Sequence, residues 1–363
     1  MISWLRLANI SLSARTANAA LDRFGSAEEL FNAPHNDLYD LPGMTDKVVT
    51  RLLDSSYLPT QSQLTDIDRL EIRILHRFSA EYPQLLLQIP DPPPVLFIRG
   101  ELEEKDRFAV GLVGSRRATP YGRSVAVKLA RDLAKTGLTI ISGGALGIDA
   151  AVHKEVLRHT GRTIAVLGCG LDIEYPRENL PIFEDIIREK RGAVISEYPP
   201  GTQPEGWRFP LRNRIISGMS MGVVVIEAGE QSGALLTATI AAEQGREVMA
   251  VPGNVDRIGS VGTNALIRDG AALIIDAKDV LRTLNIITPD DGISAQTALE
   301  LTVGNIPDAQ RKILETLDLT PQYIDAIAKE TGGSTVEIGA DLTLMELQGL
   351  VRRLPGNCYI RIL

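Results

Sequence analysis

The chain has 363 residues, 44% of them hydrophobic and 23% charged, with a formal net charge of −8. That length favours more than one globular domain, and the acidic balance excludes a protein that coats nucleic acid with a uniformly basic surface, although a local basic patch is still allowed. The two cysteines, Cys169 and Cys358, form neither a disulfide framework nor a zinc spacing, and His35, His76, His153 and His159 form no HxxxH or HExxH pattern. No metal and no cofactor are therefore expected, and a reducing, cytoplasmic compartment is.

In chain order, MISWLRLANISLSART lacks the core of a signal peptide, and no apolar run reaches the roughly 18 residues of a membrane span. Residues 1–65 read as a small helical N-terminal domain, SAM-like or helix-hairpin-helix-like. Ser26 is a predicted helix cap with Glu29 three residues on. Leu38 to Leu53 read as a helix, a Pro-Gly turn and a second helix. With a single glycine in the turn, it is taken as a helical hairpin without a ligand.

Residues 66–287 change character. Prolines between Pro90 and Pro94 precede a predicted strand, VLFIRG. Then FAVGLVG, LTIISGG, TIAVLGCG, AVISE, GVVVIEA, EVMAVPG and AALIID alternate with amphipathic stretches such as SVAVKLARDLAKTG. Continuous apolar strands separated by helices predict an α/β fold, a Rossmann-like doubly wound parallel sheet with right-handed crossovers. Residues 288–305 read as a linker. Residues 306–363 show three helical patterns and a hairpin-like end with the turn LPGN, which predicts a C-terminal winged helix. That fold binds DNA in many proteins and mediates protein contacts in others.

In such a sheet, ligands bind beyond the carboxyl ends of the strands. Four of these ends carry glycine: Gly114-Ser115-Arg116-Arg117, Ser142-Gly143-Gly144-Ala145, Gly168-Cys169-Gly170, and Gly229 with Ser232-Gly233. GSRRATPYG is not GxGxxG and GGALGID has the wrong spacing, so a dinucleotide cofactor is not expected. Between Trp207 and Ile226 no acidic residue occurs, and Arg208, Arg212 and Arg214 are interleaved with Trp207 and Phe209. Cations beside aromatics, next to loops rich in backbone N–H groups, suit a ligand that carries both phosphates and bases. Arg116 and Arg212 are expected at the loop rim, as phosphate contacts. Catalysis has less support. Ser115 and Ser232 have no histidine in a recognisable relation, Cys169 reads as a small core residue, and Asp149 sits where a helix dipole is offset. Glu227 suits ribose, catalysis or an arginine partner.

The runs at 114–122, 142–153, 165–179 (AVLGCGLDIEYPREN), 195–220, 224–238 and 251–271, in this order, closely resemble the DprA/Smf family of DNA-processing proteins of natural transformation. The resemblance implies an extended Rossmann fold that binds single-stranded DNA without sequence preference. It also implies a homodimer that helps to load RecA onto strands coated by single-strand-binding protein. By motif, Ser115, Arg116, Gly143, Gly144, Arg212 and Asn213 would meet phosphate and base. With the residues read directly, the candidate DNA-binding set also holds Gly114, Arg208, Phe209, Ser232 and Gly233, and no catalytic residue is assigned. The alternative is a nucleotide-processing Rossmann enzyme of the phosphoribohydrolase type. The corresponding loop, EAGEQSGALLTA, keeps Thr237 but lacks the PGGxGT core and the following glutamate.

Overall fold

The computed structural model describes residues 1–286, 307–317, 322–347, 350–354 and 358–361. Its packing separates two compact units, Met1–Leu284 and Asn285–Leu363.

The first unit opens with short helices, Ile2–Ile10, Ala14–Phe24, Ala27–Asn32, His35–Tyr39, Asp46–Leu53 and Gln61–Arg69. Most of these helices bury a shared apolar cluster that includes Leu7, Leu21, Leu30, Leu38 and Val49. Ser26 caps the third helix as its sequence suggests, its hydroxyl accepting from the Glu29 N–H at 3.1 Å. The Pro-Gly turn needs its glycine. Gly43 has φ 79°, and a Cβ there would lie 2.5 Å from Thr16 Oγ1.

Nine strands follow: β1 (Arg73–His76), β2 (Val95–Gly100), β3 (Ala109–Val113), β4 (Thr139–Ser142), β5 (Arg162–Leu167), β6 (Gly192–Ser196), β7 (Gly222–Val225), β8 (Glu247–Ala250) and β9 (Ala272–Leu273). They form one sheet in the order β1-β2-β6-β5-β4-β3-β7-β8-β9. From β6 to β9 every pairing is parallel, whereas β1 and β2 join antiparallel at one edge. The doubly wound reading holds, with two antiparallel edge strands added. Alternate residues of β5 serve opposite faces. Ile164 and Val166 join the layer beneath the helices Arg208–Gly218 and Gly233–Glu243, and Ala165 and Leu167 join the layer of Phe183 and Ile186.

From β3 the chain winds outward through β4, β5 and β6, then returns to place β7 on the other side of β3. The loops leaving the carboxyl ends of β3 and β7 therefore diverge, and a crevice opens between them.

The second unit has helices Asp308–Thr316, Ile324–Thr331 and Thr335–Leu347. Strand Cys358–Arg361 pairs antiparallel with both Val351–Leu354 and Gln322–Tyr323. Ile313, Ile327, Leu342 and Met345 fill its core. Three helices with a β-hairpin wing form the winged helix. The expected linker at 288–305 and residues 355–357 of the wing turn lie outside the described residues.

Candidate nucleic-acid interface

The crevice at the β3/β7 switch point has a volume of about 1010 Å³ and is walled by Ser115, Arg116, Phe209, Asn213, Ser232 and Gly233, among others. Its loops are tied together. The Ser115 N–H donates to the Glu227 carbonyl at 2.8 Å, and the Ser115 carbonyl accepts from the Ile148 N–H at 3.1 Å. Gly147 makes that approach possible, since a Cβ there would lie 2.3 Å from the Ser115 carbonyl oxygen at φ +85°. The Ser115 hydroxyl accepts from the Arg117 N–H at 3.1 Å, which shapes the turn that leaves Arg116 and Arg117 exposed. Arg116 lies over the Phe209 ring, 4.8 Å from its centroid. Across the crevice the helix Gly233–Glu243 begins with Ser232 as its cap. A Cβ on Gly233 would meet nothing within 4 Å, so packing does not demand this glycine, and the first helical turn stays open to the crevice. An exposed arginine fork facing a helix N-terminus suits phosphate.

The arginines of the 205–235 segment divide into different roles. Arg212 is not at the rim, contrary to expectation: it is 4% exposed and lies beneath the crevice. Its Nη1 donates to the Gly143 carbonyl at 2.6 Å and to the Val166 carbonyl, and its Nε donates to Asn213 Oδ1 at 3.3 Å. Burial lowers its pKa to about 10, against the opposing pull of the nearby Asp149 carboxylate. Gly143 and Gly144 are mainly packing glycines. A Cβ on Gly143 would strike Asp149 and Arg212, and one on Gly144 (φ +63°) would strike Leu167 and Phe183. Arg208 turns away from the crevice: its guanidinium lies over Trp207 at 4.3 Å and Tyr198 at 5.0 Å, with Glu205 at 3.6 Å. Trp207 is exposed beside it and donates its indole N–H to Glu205. Arg214 is buried in a triad with Asp91 at 3.2 Å and Glu197 at 2.6 Å. Burial favours its neutral form, but the two carboxylates outweigh this and raise its pKa. The ring at the crevice is thus Phe209, joined by Tyr175 at a centroid distance of 5.7 Å. Tyr175 was not singled out from the sequence. Its signal in the sequence is a place in the EYPREN run, two residues before Arg177 and five after the Gly168-Cys169-Gly170 strand end.

The groups weighed for catalysis are occupied structurally. Among the described residues Glu227 has no arginine partner; it caps the helix Pro120–Ala134 instead, accepting from the Thr119 N–H at 3.1 and 3.2 Å and from the Thr119 hydroxyl. Asp149 is buried and accepts from the Ala145 N–H at 3.3 Å; burial raises its pKa, opposed by Arg212. The Cys169 thiol is buried and pushed up to about 11, chiefly by desolvation, which removes the thiolate. The Ser232 hydroxyl accepts from the Ala234 N–H at 3.3 Å.

A doubly wound sheet with an arginine-bearing crevice at its switch point, followed by a winged helix, defines a Rossmann-type protein suited to phosphate-bearing ligands. Residues 73–285 match the family described as DNA recombination-mediator protein A, and residues 294–357 match the DprA winged helix domain. The chain belongs to this DprA/Smf family of DNA-processing proteins. It is 34% identical to Protein Smf of Escherichia coli (strain K12), over 99% of this chain and 95% of the relative. The structure of DNA processing protein A from Streptococcus pneumoniae superposes with a TM-score of 0.67 at 33% identity, covering 78% of this chain and 98% of that one. The Helicobacter pylori protein, whose structure was described for its single-stranded DNA binding mode, superposes at 0.53 with 31% identity, covering 60% and 96%. Among the described residues, no helix is long and apolar enough to cross a membrane.

Proposed function

We propose that this chain binds single-stranded DNA without sequence preference, in the crevice at the β3/β7 switch point. The observation that carries the reading is Arg116, exposed at the end of β3 and set over the half-buried Phe209 ring. A guanidinium holds a phosphate with two parallel hydrogen bonds, and a ring accepts any unpaired base. The Ser115 hydroxyl proton and, across the crevice, the open first helical turn at Gly233 add further donors. Arg212 and Asn213 act from beneath, holding the Gly143 and β5 carbonyls in place and lending positive charge. Arg208 is assigned to the neighbouring surface with Trp207, outside the crevice.

The family resemblance supports the finer part of the proposal. The bound strand is passed to RecA, including from strands coated by single-strand-binding protein, in a cytoplasmic reaction of DNA uptake and recombination, and the protein catalyses no bond change itself. It works as a homodimer. The half-buried Leu266 and Ile267 are weaker candidates for the contact than Leu273 and Ile275 at the β9 edge, which are 46% and 68% exposed. An edge strand of this kind is usually covered.

The test is a fluorescence titration of one labelled single strand and of its duplex, repeated across salt. A clear preference for the single strand, indifferent to sequence and weakened by salt, supports the reading. Equal affinity for strand and duplex would remove it.

A further inference from the structure

Trp207 is 54% exposed at the start of the helix Arg208–Gly218, where its backbone is helical (φ −72°, ψ −18°) and its side chain makes no capping hydrogen bond. An indole is a large apolar surface and is ordinarily covered. The needs of the helix do not account for its place. Two contacts nevertheless fix the ring. One face lies against Arg208, whose guanidinium carbon is 4.3 Å from the indole centre and 5.0 Å from that of the Tyr198 ring. The edge is held as well, because the indole N–H donates to Glu205. The exposed area is therefore the opposite face of a ring that is already positioned, and little ordering cost remains for a ligand that covers it.

The ring adjoins the crevice without lining it. Pro204 and Gly206 before it in the chain, and Phe209 and Pro210 after it, belong to the crevice wall. Residues two apart on a helix point to opposite sides, so Phe209 looks into the crevice and Trp207 away from it. Gly206 adds no side chain at the step between them, and a Cβ there would meet nothing within 4 Å, so packing does not demand this glycine. Leu211, one turn further along the helix and 51% exposed, extends the apolar surface on the Trp207 side. A strand that leaves the crevice over Gly206 meets this surface next.

The chemistry there suits a base and not a phosphate. The Glu205 carboxylate is half exposed beside the ring, and it already faces the Arg208 guanidinium at 3.6 Å. With its N–H engaged, the indole offers a face and no hydrogen-bonding edge, which accepts any base and reads none. We propose that Trp207 is a stacking platform for a base of the strand just after it leaves the crevice. The inference rests on single-strand binding in the crevice. It lengthens the bound strand around the start of the helix by a contact that needs neither Arg116 nor a phosphate.

The chain has two tryptophans, and Trp4 is stacked on His76 at 4.3 Å. In the full chain carrying Trp4→Phe, tryptophan emission therefore reports Trp207 alone. A long oligodeoxythymidylate should quench it, and a strand of the same length in which every residue is abasic should not. Titrations of the full chain at low salt, where phosphate contacts alone still hold a strand, give the affinities. Trp207→Ala should lower affinity for the long oligodeoxythymidylate about 5- to 100-fold, and Trp207→Tyr should restore most of it. Affinity for the abasic strand, affinity for the shortest oligodeoxythymidylate that the parent protein binds, and the salt slope should not change. An equal loss on the abasic or the shortest strand, no loss on any strand, or emission that the long strand leaves unquenched would overturn the platform while single-strand binding stands. A parent protein that binds no strand overturns the proposed function and the platform together.

Discussion

The Arg116 guanidinium carbon stands 4.8 Å from the centroid of the Phe209 ring. This contact joins the loop after β3 to the first turn of the helix Arg208–Gly218. It holds a cation that would otherwise swing through solvent over an aromatic ring of the crevice wall. An arginine positioned this way gives up less rotamer freedom when it grips phosphate, and its charge is available at the face where a base stacks.

Arg116→Ala should weaken single-strand binding by about 1–3 kcal/mol for every sequence alike, and flatten the salt dependence by about one unit. The side chain is exposed, so the urea midpoint of unfolding should not move. Titrations at several salt concentrations, paired with a denaturation curve, check both. A loss confined to particular sequences would point to base readout rather than phosphate contact.

Arg212→Ala should behave differently, although the two arginines read alike in the sequence. The substitution strips the donor from the Gly143 and Val166 carbonyls and leaves the buried Asp149 carboxylate without its nearby cation. Each buried acceptor left without a partner costs about 1–3 kcal/mol, so a fall in unfolding free energy is expected together with weaker binding. Urea denaturation measures it. An unchanged midpoint with lost binding would return Arg212 to the rim role that its motif suggested.

The contrast shows what could be read from residues alone. Strands β3 to β8 were legible because each is an apolar run long enough to cross a sheet buried on both faces. The glycine-bearing strand ends followed from them, and with these the place of the crevice. The pairing direction of β2 was not legible, since RILH is too short to announce the edge strand β1 and nothing local fixes on which side VLFIRG will pair. Nor was the division of labour among the arginines. Arg214 pairs with Asp91 and Glu197, and Arg212 with carbonyls of two other strand ends, so their burial depends on groups far away in the chain. Glu227 likewise meets the Thr119 N–H through tertiary approach, not by spacing. Tyr175 escaped because a lone aromatic in a loop carries no pattern.

His153 gives the fold a dependence on pH. It is fully buried, and the Thr163 hydroxyl, whose one proton goes to the Ile140 carbonyl, accepts from His153 Nδ1 at 2.7 Å. Nε2 has no protein partner among the described residues. Burial, with Arg212 adding to it, lowers the pKa from 6.5 to about 3. The unfolded chain therefore binds the extra proton between these values, and stability falls as pH drops below 6.5. Going from pH 7 to pH 5 should cost about 2 kcal/mol through this group. In His153→Gln the difference between unfolding free energies at the two pH values should shrink by about that amount. An unchanged difference would mean that the ring is protonated, and charged, in the folded protein.

The most direct measurement is a structure of the full chain with a short oligodeoxythymidylate. The expected density is a strand in the β3/β7 crevice, with a phosphate within hydrogen-bonding distance of Arg116 and another at the first turn of the helix that begins at Gly233. A strand lying elsewhere on the molecule, with Arg116 and Phe209 still in contact over an empty crevice, would contradict the central claim.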